Sequence, residues 1–174
     1  LSPDWKTGRV PVEVMLQNAG KTPINARIEL AASPDGTSDP VAATTIVQDI
    51  SPGATSVQAD LLVEGPRLWD VEQPNLYVFT ARLTSEIPAL VHQKSCRFGF
   101  RDFRVEKGFF RLNGRRIFLK SSHTCNQAPI GQVVPPESEP DLFRKDLLYM
   151  KSSGFNAVRF IAGIPHPYQL DLCD

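Results

Sequence analysis

Between Phe98 and Asp174 the chain changes from a purely strand-like pattern to a mixed one, and that change limits the folds open to it. Phe109 to Lys120 reads as a hairpin whose turn is Asn113-Gly114. A two-residue type I′ turn needs φ > 0 at both central residues, and Asn-Gly meets that need at little steric cost. A Pro-rich loop, Ala128 to Ser138, comes next, and then a helix is expected over Asp141–Ser153. Ser138 is placed to cap it, and Pro140 and Asp141 suit its first turn. Phe143, Leu147 and Met150 share one face, and Gly154 is placed to end the helix in the left-handed region. The apolar run Phe155–Ile161 then reads as a buried strand. A helix followed by a short apolar strand is how a parallel α/β unit opens. A second helix is expected to be starting where the sequence reaches Asp174, so the arrangement reads as a piece of a larger protein.

Residues 1–104 follow period two. Val10, Val12, Val14 and Leu16 face one way, and Ile24, Ala26, Ile28 and Leu30 repeat the alternation after the turn at Asn18–Lys21. Further strands are expected at Thr44–Val47, at Val57–Leu61, at Asn75–Leu83 and at Ser95–Phe103, with Ser33-Pro34-Asp35-Gly36 and Ser51-Pro52-Gly53 as punctuation. Short strands at near-regular spacing between Pro/Gly turns indicate an immunoglobulin-like β-sandwich. The Cys…Trp…Cys pattern of antibody domains is missing. The expected fold class is mainly β, with the sandwich over 1–104 and the first βα elements over 105–174.

Bulk properties exclude some partners. The 19 basic and 19 acidic residues cancel, which argues against nucleic acid, a partner that favours a basic face. No apolar run approaches the roughly 18 residues of a membrane span. The three cysteines, Cys96, Cys125 and Cys173, are odd in number and widely spaced, so they form no disulfide framework and read as reduced, partly buried thiols. The N-terminus, Leu1 to Lys6, shows no signal-peptide pattern and reads as a boundary inside a longer chain.

Four blocks carry a resemblance. Arg67-Leu68-Trp69-Asp70 through Gln73-Pro74-Asn75-Leu76-Tyr77 is similar to an "LW…P-N-L-Y" strand. Phe98-Gly99-Phe100-Arg101 is similar to an "F-G-F-R" junction. Phe110-Arg111-Leu112-Asn113-Gly114 with Leu119-Lys120 is similar to "F-x-L-N-G-x-x-x-x-L-K". Gly154-Phe155-Asn156-Ala157-Val158-Arg159 with Leu172-Cys173-Asp174 is similar to "G-F-N-A-V-R … L-C-D". In this order the blocks resemble glycoside hydrolase family 2, the group of β-galactosidase, β-glucuronidase and β-mannosidase. The resemblance implies an immunoglobulin-like sandwich followed by a (β/α)8 barrel, here only its opening. It also implies hydrolysis of β-glycosides by two glutamates after the fourth and seventh barrel strands. In a retaining enzyme such carboxyl groups sit about 5 Å apart, one as acid/base and one as nucleophile. Both places fall beyond Asp174, so no catalytic residue is assigned to this chain, and the chain alone is expected to be inert. The sequence departs from the family at Ser121–Asn126, where "G-x-N-x-H" is usual, and after Arg159, where "x-x-H-Y-P" is usual. The departures imply a branch with a different sugar or with lost activity.

Three substrate-binding candidates follow. Arg159 corresponds to the Arg of "N-A-V-R", where a guanidinium can hydrogen-bond a catalytic carboxylate and hold it ionised. The plainer alternative is an Arg paired within the barrel core. His123 and Asn126 lie where a loop follows the first barrel strand, at the end that carries barrel chemistry. His123 and Cys125 together would suit a thiol nucleophile or a metal pair only with further groups that the sequence does not specify. No cofactor and no metal is expected. Trp69 is expected to pack at the sandwich edge rather than to stack on a sugar. Trp5 is the other aromatic that could serve as such a platform. His92 reads as a surface or satisfied core residue, and Arg115-Arg116 as a solvated face. The expected partner is a carbohydrate bound by the full-length protein. Because an unpaired strand edge would stay exposed, residues 104–174 are expected to dock on the sandwich, to be poorly ordered, or to pair with a neighbouring chain, the last giving a homo-oligomer. The rival reading is a non-catalytic immunoglobulin-like module that binds carbohydrate or another protein.

Overall fold

The computed structural model describes residues 1–85, 90–123, 140–160 and 164–174. The chain divides into two compact units, Leu1–Asp102 and Phe103–Asp174.

The first unit contains β1 (Thr7–Asn18), β2 (Ile24–Pro34), β3 (Ala42–Ile50), β4 (Gly53–Glu64), β5 (Tyr77–Ser85) and β6 (Val91–Phe98). β1 and β4 form one antiparallel sheet, in register from Thr7↔Glu64 to Asn18↔Gly53. The other sheet has the order β3-β2-β5-β6, also antiparallel. The alternation read from the sequence sets which faces meet. Ala26, Ile28 and Leu30 of β2 are buried together with Val57 of β4, and Val12, Val14 and Leu16 of β1 pack against them. Side chains of both sheets therefore share one core, as in sheets packed face to face. A second cluster holds Ala32, Leu61, Val63, Tyr77 and Phe100.

Asn18 is a buried polar residue at 6% exposure. It is satisfied: its amide donates to Thr22 O and Ile50 O, both at 2.9 Å, and its Oδ1 accepts from Gly20 N at 2.9 Å. That accounting fixes the β1–β2 turn.

The strand expected over Ser95–Phe103 is two strands. β6 ends at Phe98 opposite Tyr77, where β5 begins, and β7 (Phe103–Glu106) belongs to the second unit. Between them Phe100 leaves the ladder, bridges to Leu68 and is buried. Its ring meets Tyr77 at 5.2 Å and Phe98 at 5.4 Å, both edge-on.

In the second unit, β7, β8 (Phe109–Leu112) and β9 (Arg115–Arg116) form an antiparallel meander. Asn113 and Gly114 have φ of 51° and 75°, the type I′ turn expected. A second turn, Lys107-Gly108 with φ of 50° and 78°, joins β7 to β8. It was not read from the sequence. β10 (Ser121–His123), α1 (Leu142–Ser152), β11 (Ala157–Arg159) and α2 (Pro167–Cys173) follow. The residue that caps α1 is Asp141, without a side-chain cap hydrogen bond; the expected cap, Ser138, lies outside the described residues. Gly154 ends the helix at φ 83°. Gly154 N donates to Lys151 O and Phe155 N to Met150 O, both at 3.0 Å, the pair of bonds that defines a Schellman motif. Because Phe155 is used in that motif, the strand that follows covers Ala157–Arg159 rather than the whole expected run. No helix among the described residues is long and apolar enough to cross a membrane.

Candidate functional site

Two elements of the second unit place the candidate residues. β10 and β11 run parallel, with Ser121 opposite Ala157, Ser122 opposite Val158 and His123 opposite Arg159. α1 lies between them in the chain, so the three elements form a β-α-β unit. Successive strand side chains point to opposite faces, so Val158 and Phe160 share one face and Ala157 and Arg159 the other. The helix covers the first face: Phe143 is 4% exposed, and its ring lies 6.0 Å from Phe160 and 6.4 Å from Tyr168 of α2. His123 and Arg159 therefore stand side by side at the carboxyl ends of neighbouring parallel strands, on the face that α1 leaves open. Both are exposed. No side-chain hydrogen bond or ion pair joins either one to another described residue.

Asn156 holds the two strands at this spacing, and sequence reasoning missed it. Its Oδ1 accepts from Lys120 N at 2.9 Å, and its Nδ2 donates to Phe118 O at 3.0 Å. Asn156 N also donates to Lys120 O at 3.0 Å. Donor and acceptor on one short side chain are what the task needs, and only Asn and Gln carry both as an amide. The signal was available in the Phe-Asn-Ala-Val-Arg block, where Asn sits at the entry of an apolar strand against its own propensity.

The arrangement brings a cation and an imidazole to one strand end. A guanidinium offers a planar fork of donors to carboxylate or hydroxyl oxygens, and an imidazole can donate or accept. Asn126, the third candidate, lies outside the described residues, as does Cys125. Among the described residues no three His, Cys, Asp or Glu side chains come close enough to hold a metal ion. Cys96 and Cys173 are exposed rather than partly buried, yet desolvation, and then the charge of Asp174, push the Cys173 thiol above the ordinary value. That shift works against thiolate chemistry there.

The remaining candidates sit apart from this pair in sequence and role. His92 is exposed on β6, and Trp5 is half-buried in the N-terminal turn. Trp69 is half-buried: its backbone N donates to Phe100 O at 2.8 Å, and the Arg101 guanidinium lies 5.0 Å from the ring centroid. That is a packed aromatic with its face covered by a cation. Arg115 and Arg116 are exposed, and Arg116 lies 3.8 Å from the Phe109 ring.

Comparison with known proteins bears on the whole chain. The sequence profile of the family described as Glycosyl hydrolases family 2 matches residues 1–101, and that match stops next to the boundary between the units at Asp102. A putative β-galactosidase from Bacteroides fragilis superposes with a TM-score of 0.81 at 22% identity, over 99% of this chain and 25% of that one. A β-glucuronidase from Parabacteroides merdae, solved with glycerol in its active site, gives a TM-score of 0.78 at 26% identity, over 99% of this chain and 21% of that one. The β-glucuronidase of Bacteroides uniformis gives 0.81 at 24% identity, over 98% and 20%. The chain thus spans a quarter or less of these three structures and shares their fold over nearly all of its own length.

Proposed function

The chain belongs to glycosyl hydrolases family 2, and from that premise we propose that it is part of a longer glycosidase that hydrolyses O-glycosidic bonds of β-glycosides. The first unit, 1–104 in the sequence reading, serves as an immunoglobulin-like spacer. The second, 105–174, is the opening of a (β/α)8 barrel and supplies part of the sugar site. The reacting carboxylates belong to later barrel strands, so this stretch binds and positions and does not itself cleave.

One observation carries the reading: the parallel register that sets His123 beside Arg159 at the carboxyl ends of β10 and β11, on the face away from α1. Active sites of (β/α)8 enzymes gather at the carboxyl ends of the strands, and a substrate oxygen or a catalytic carboxylate there would meet both groups. Arg159 orients a carboxylate through paired N–H donors. His123 and Asn126 contact sugar hydroxyls. A β-glycoside substrate agrees with the β-glucuronidases and the putative β-galactosidase among the superposing structures.

The test is a pair of variants in the full-length enzyme. Arg159→Lys keeps the charge and loses the fork, and is expected to lower kcat by at least about tenfold. His123→Ala is expected to act mainly on KM. Wild-type kcat and KM in both variants would overturn the assignment. The rival reading, a non-catalytic binding module, predicts carbohydrate affinity in the first unit alone and no dependence on Arg159.

A further inference from the structure

The meander of β7, β8 and β9 sorts its side chains onto two unlike faces. Residues directly opposite each other in an antiparallel pair share a face. Phe103 lies opposite Leu112 and Val105 opposite Phe110, and Phe103 stacks on Phe110 with ring centroids 5.8 Å apart. That face is apolar. The other face holds Arg104 opposite Arg111, and Arg111 opposite Arg116. Three arginines therefore form one line across the meander, one from each strand. Neighbouring strands lie about 4.8 Å apart, so the line spans roughly 10 Å.

Contacts along the strands agree with this sorting. Glu106 and Phe109 are the next cross-strand pair on the arginine side. The Glu106 carboxylate forms an ion pair with Arg111 Nε at 2.6 Å, and the Arg116 guanidinium lies 3.8 Å from the Phe109 ring centroid. Arg111 Nη1 also donates to Gly114 O at 2.9 Å. The central arginine is thus committed to the meander's own carboxylate and turn. Arg104 and Arg116, on either side of it, are exposed. From Phe103 to Arg116 the sequence has five basic side chains, Arg104, Lys107, Arg111, Arg115 and Arg116, and one acidic one, Glu106. The chain as a whole is neutral, so positive charge is concentrated here. Like charges directly across a strand pair weaken a sheet. The stability of the meander therefore gives no reason for the row.

The chemistry of the row narrows what it fits. Every member is arginine, whose planar fork takes a carboxylate through two parallel N–H bonds, as lysine cannot. Two forks flanking a neutralised centre suit a polymer with carboxylates at repeated positions better than one small anion. A membrane surface would call for apolar and basic residues that reach the lipid together, and here they lie on opposite faces. Single-stranded nucleic acid would call for aromatic rings free to stack on bases. Phe109, the aromatic of these strands on the arginine face, already carries the Arg116 guanidinium.

We propose that the arginine face of the meander is a docking surface for an anionic polysaccharide, a linear chain of uronic acids. Arg104 and Arg116 each hold a carboxylate, and Arg111 keeps the strands between them in place. The sugar chain runs across the strands, in line with the row. The surface retains polymer and takes no part in bond cleavage. That the partner is a carbohydrate rests on the glycosidase reading above; the row and its charge do not.

The test measures binding of the 174-residue chain to polymannuronate, a β-linked polymer of a uronic acid, by calorimetry at low salt. Neutral mannan and a single-stranded oligonucleotide of matched charge are the comparisons. Binding to polymannuronate is expected, weakening as salt rises, with none to mannan. The double variant Arg104→Gln/Arg116→Gln is expected to bind at least about tenfold more weakly, since each position loses a charged fork. Arg111 is left alone because it holds Glu106 and the turn. The double variant Arg104→Lys/Arg116→Lys keeps the charge without the fork and is expected to bind about threefold or more weakly than the wild type. An absence of binding to polymannuronate would overturn the proposal. So would unchanged affinity in either double variant, or tighter binding to the oligonucleotide. Binding is read without turnover, so its failure leaves the glycosidase reading to its own test.

Discussion

Gly8 is small because of a residue at the far end of its unit. A Cβ built there would stand 2.3 Å from Cε1 of Phe100, inside any real contact distance. Phe100 is itself fixed between Tyr77 and Phe98, so its ring cannot swing clear. Gly8→Ala is expected to destabilise the fold by about 1–3 kcal/mol through overpacking, measured as a lower midpoint in urea. Combining it with Phe100→Leu should cost less than the sum of the two, because the smaller side chain relieves the clash. Cys173 makes a second residue-level statement. Desolvation, and next Asp174, raise its thiol pKa. The thiolate, which is the reactive form, is therefore scarcer in the folded than in the unfolded chain at any pH below the folded value. Alkylation of Cys173 by iodoacetamide at mildly alkaline pH should run slower in the folded protein, followed by mass spectrometry. The gap should close as pH rises past the folded pKa.

At the scale of the element, the β-α-β unit depends on a clamp rather than on a long ladder, since β10 and β11 have three residues each. Asn156→Ala removes both side-chain bonds to the Phe118–Lys120 segment. It is expected to cost about 1–3 kcal/mol and to speed exchange of the Lys120 amide while leaving β2 unchanged. The elements were legible where a local rule fixes the backbone. Asn113-Gly114 announced its turn, and period two gave β1, β2 and β4 with their inward faces. Local rules failed where a distant contact decides. The Ser95–Phe103 run splits because Phe100 turns away to bridge Leu68, which no pattern within the run reveals. The Lys107-Gly108 turn hides because Lys carries no left-handed preference of its own. At the site, Arg159 could be picked from its block, but its neighbour could not. The pairing of His123 with Arg159 is a register between strands thirty-six residues apart, and register is a tertiary fact.

For the whole molecule, both units carry surface that suits a larger assembly. The meander shows Phe103, Val105 and Phe110 on one face, all well exposed. Among the described residues, α1 covers one face of the β10–β11 pair, and β1 pairs with β4 and no other strand. Membership of glycosyl hydrolases family 2 and the small share of the superposing structures that this chain spans fit a working site completed by further strands. The most direct measurement is hydrolysis of a panel of 4-nitrophenyl β-glycosides by the 174-residue chain and by the longer polypeptide, side by side. The account predicts release of nitrophenol by the longer polypeptide on at least one substrate and none by the chain alone. Turnover by the chain alone would contradict it, and so would a folded longer polypeptide that cleaves none of them.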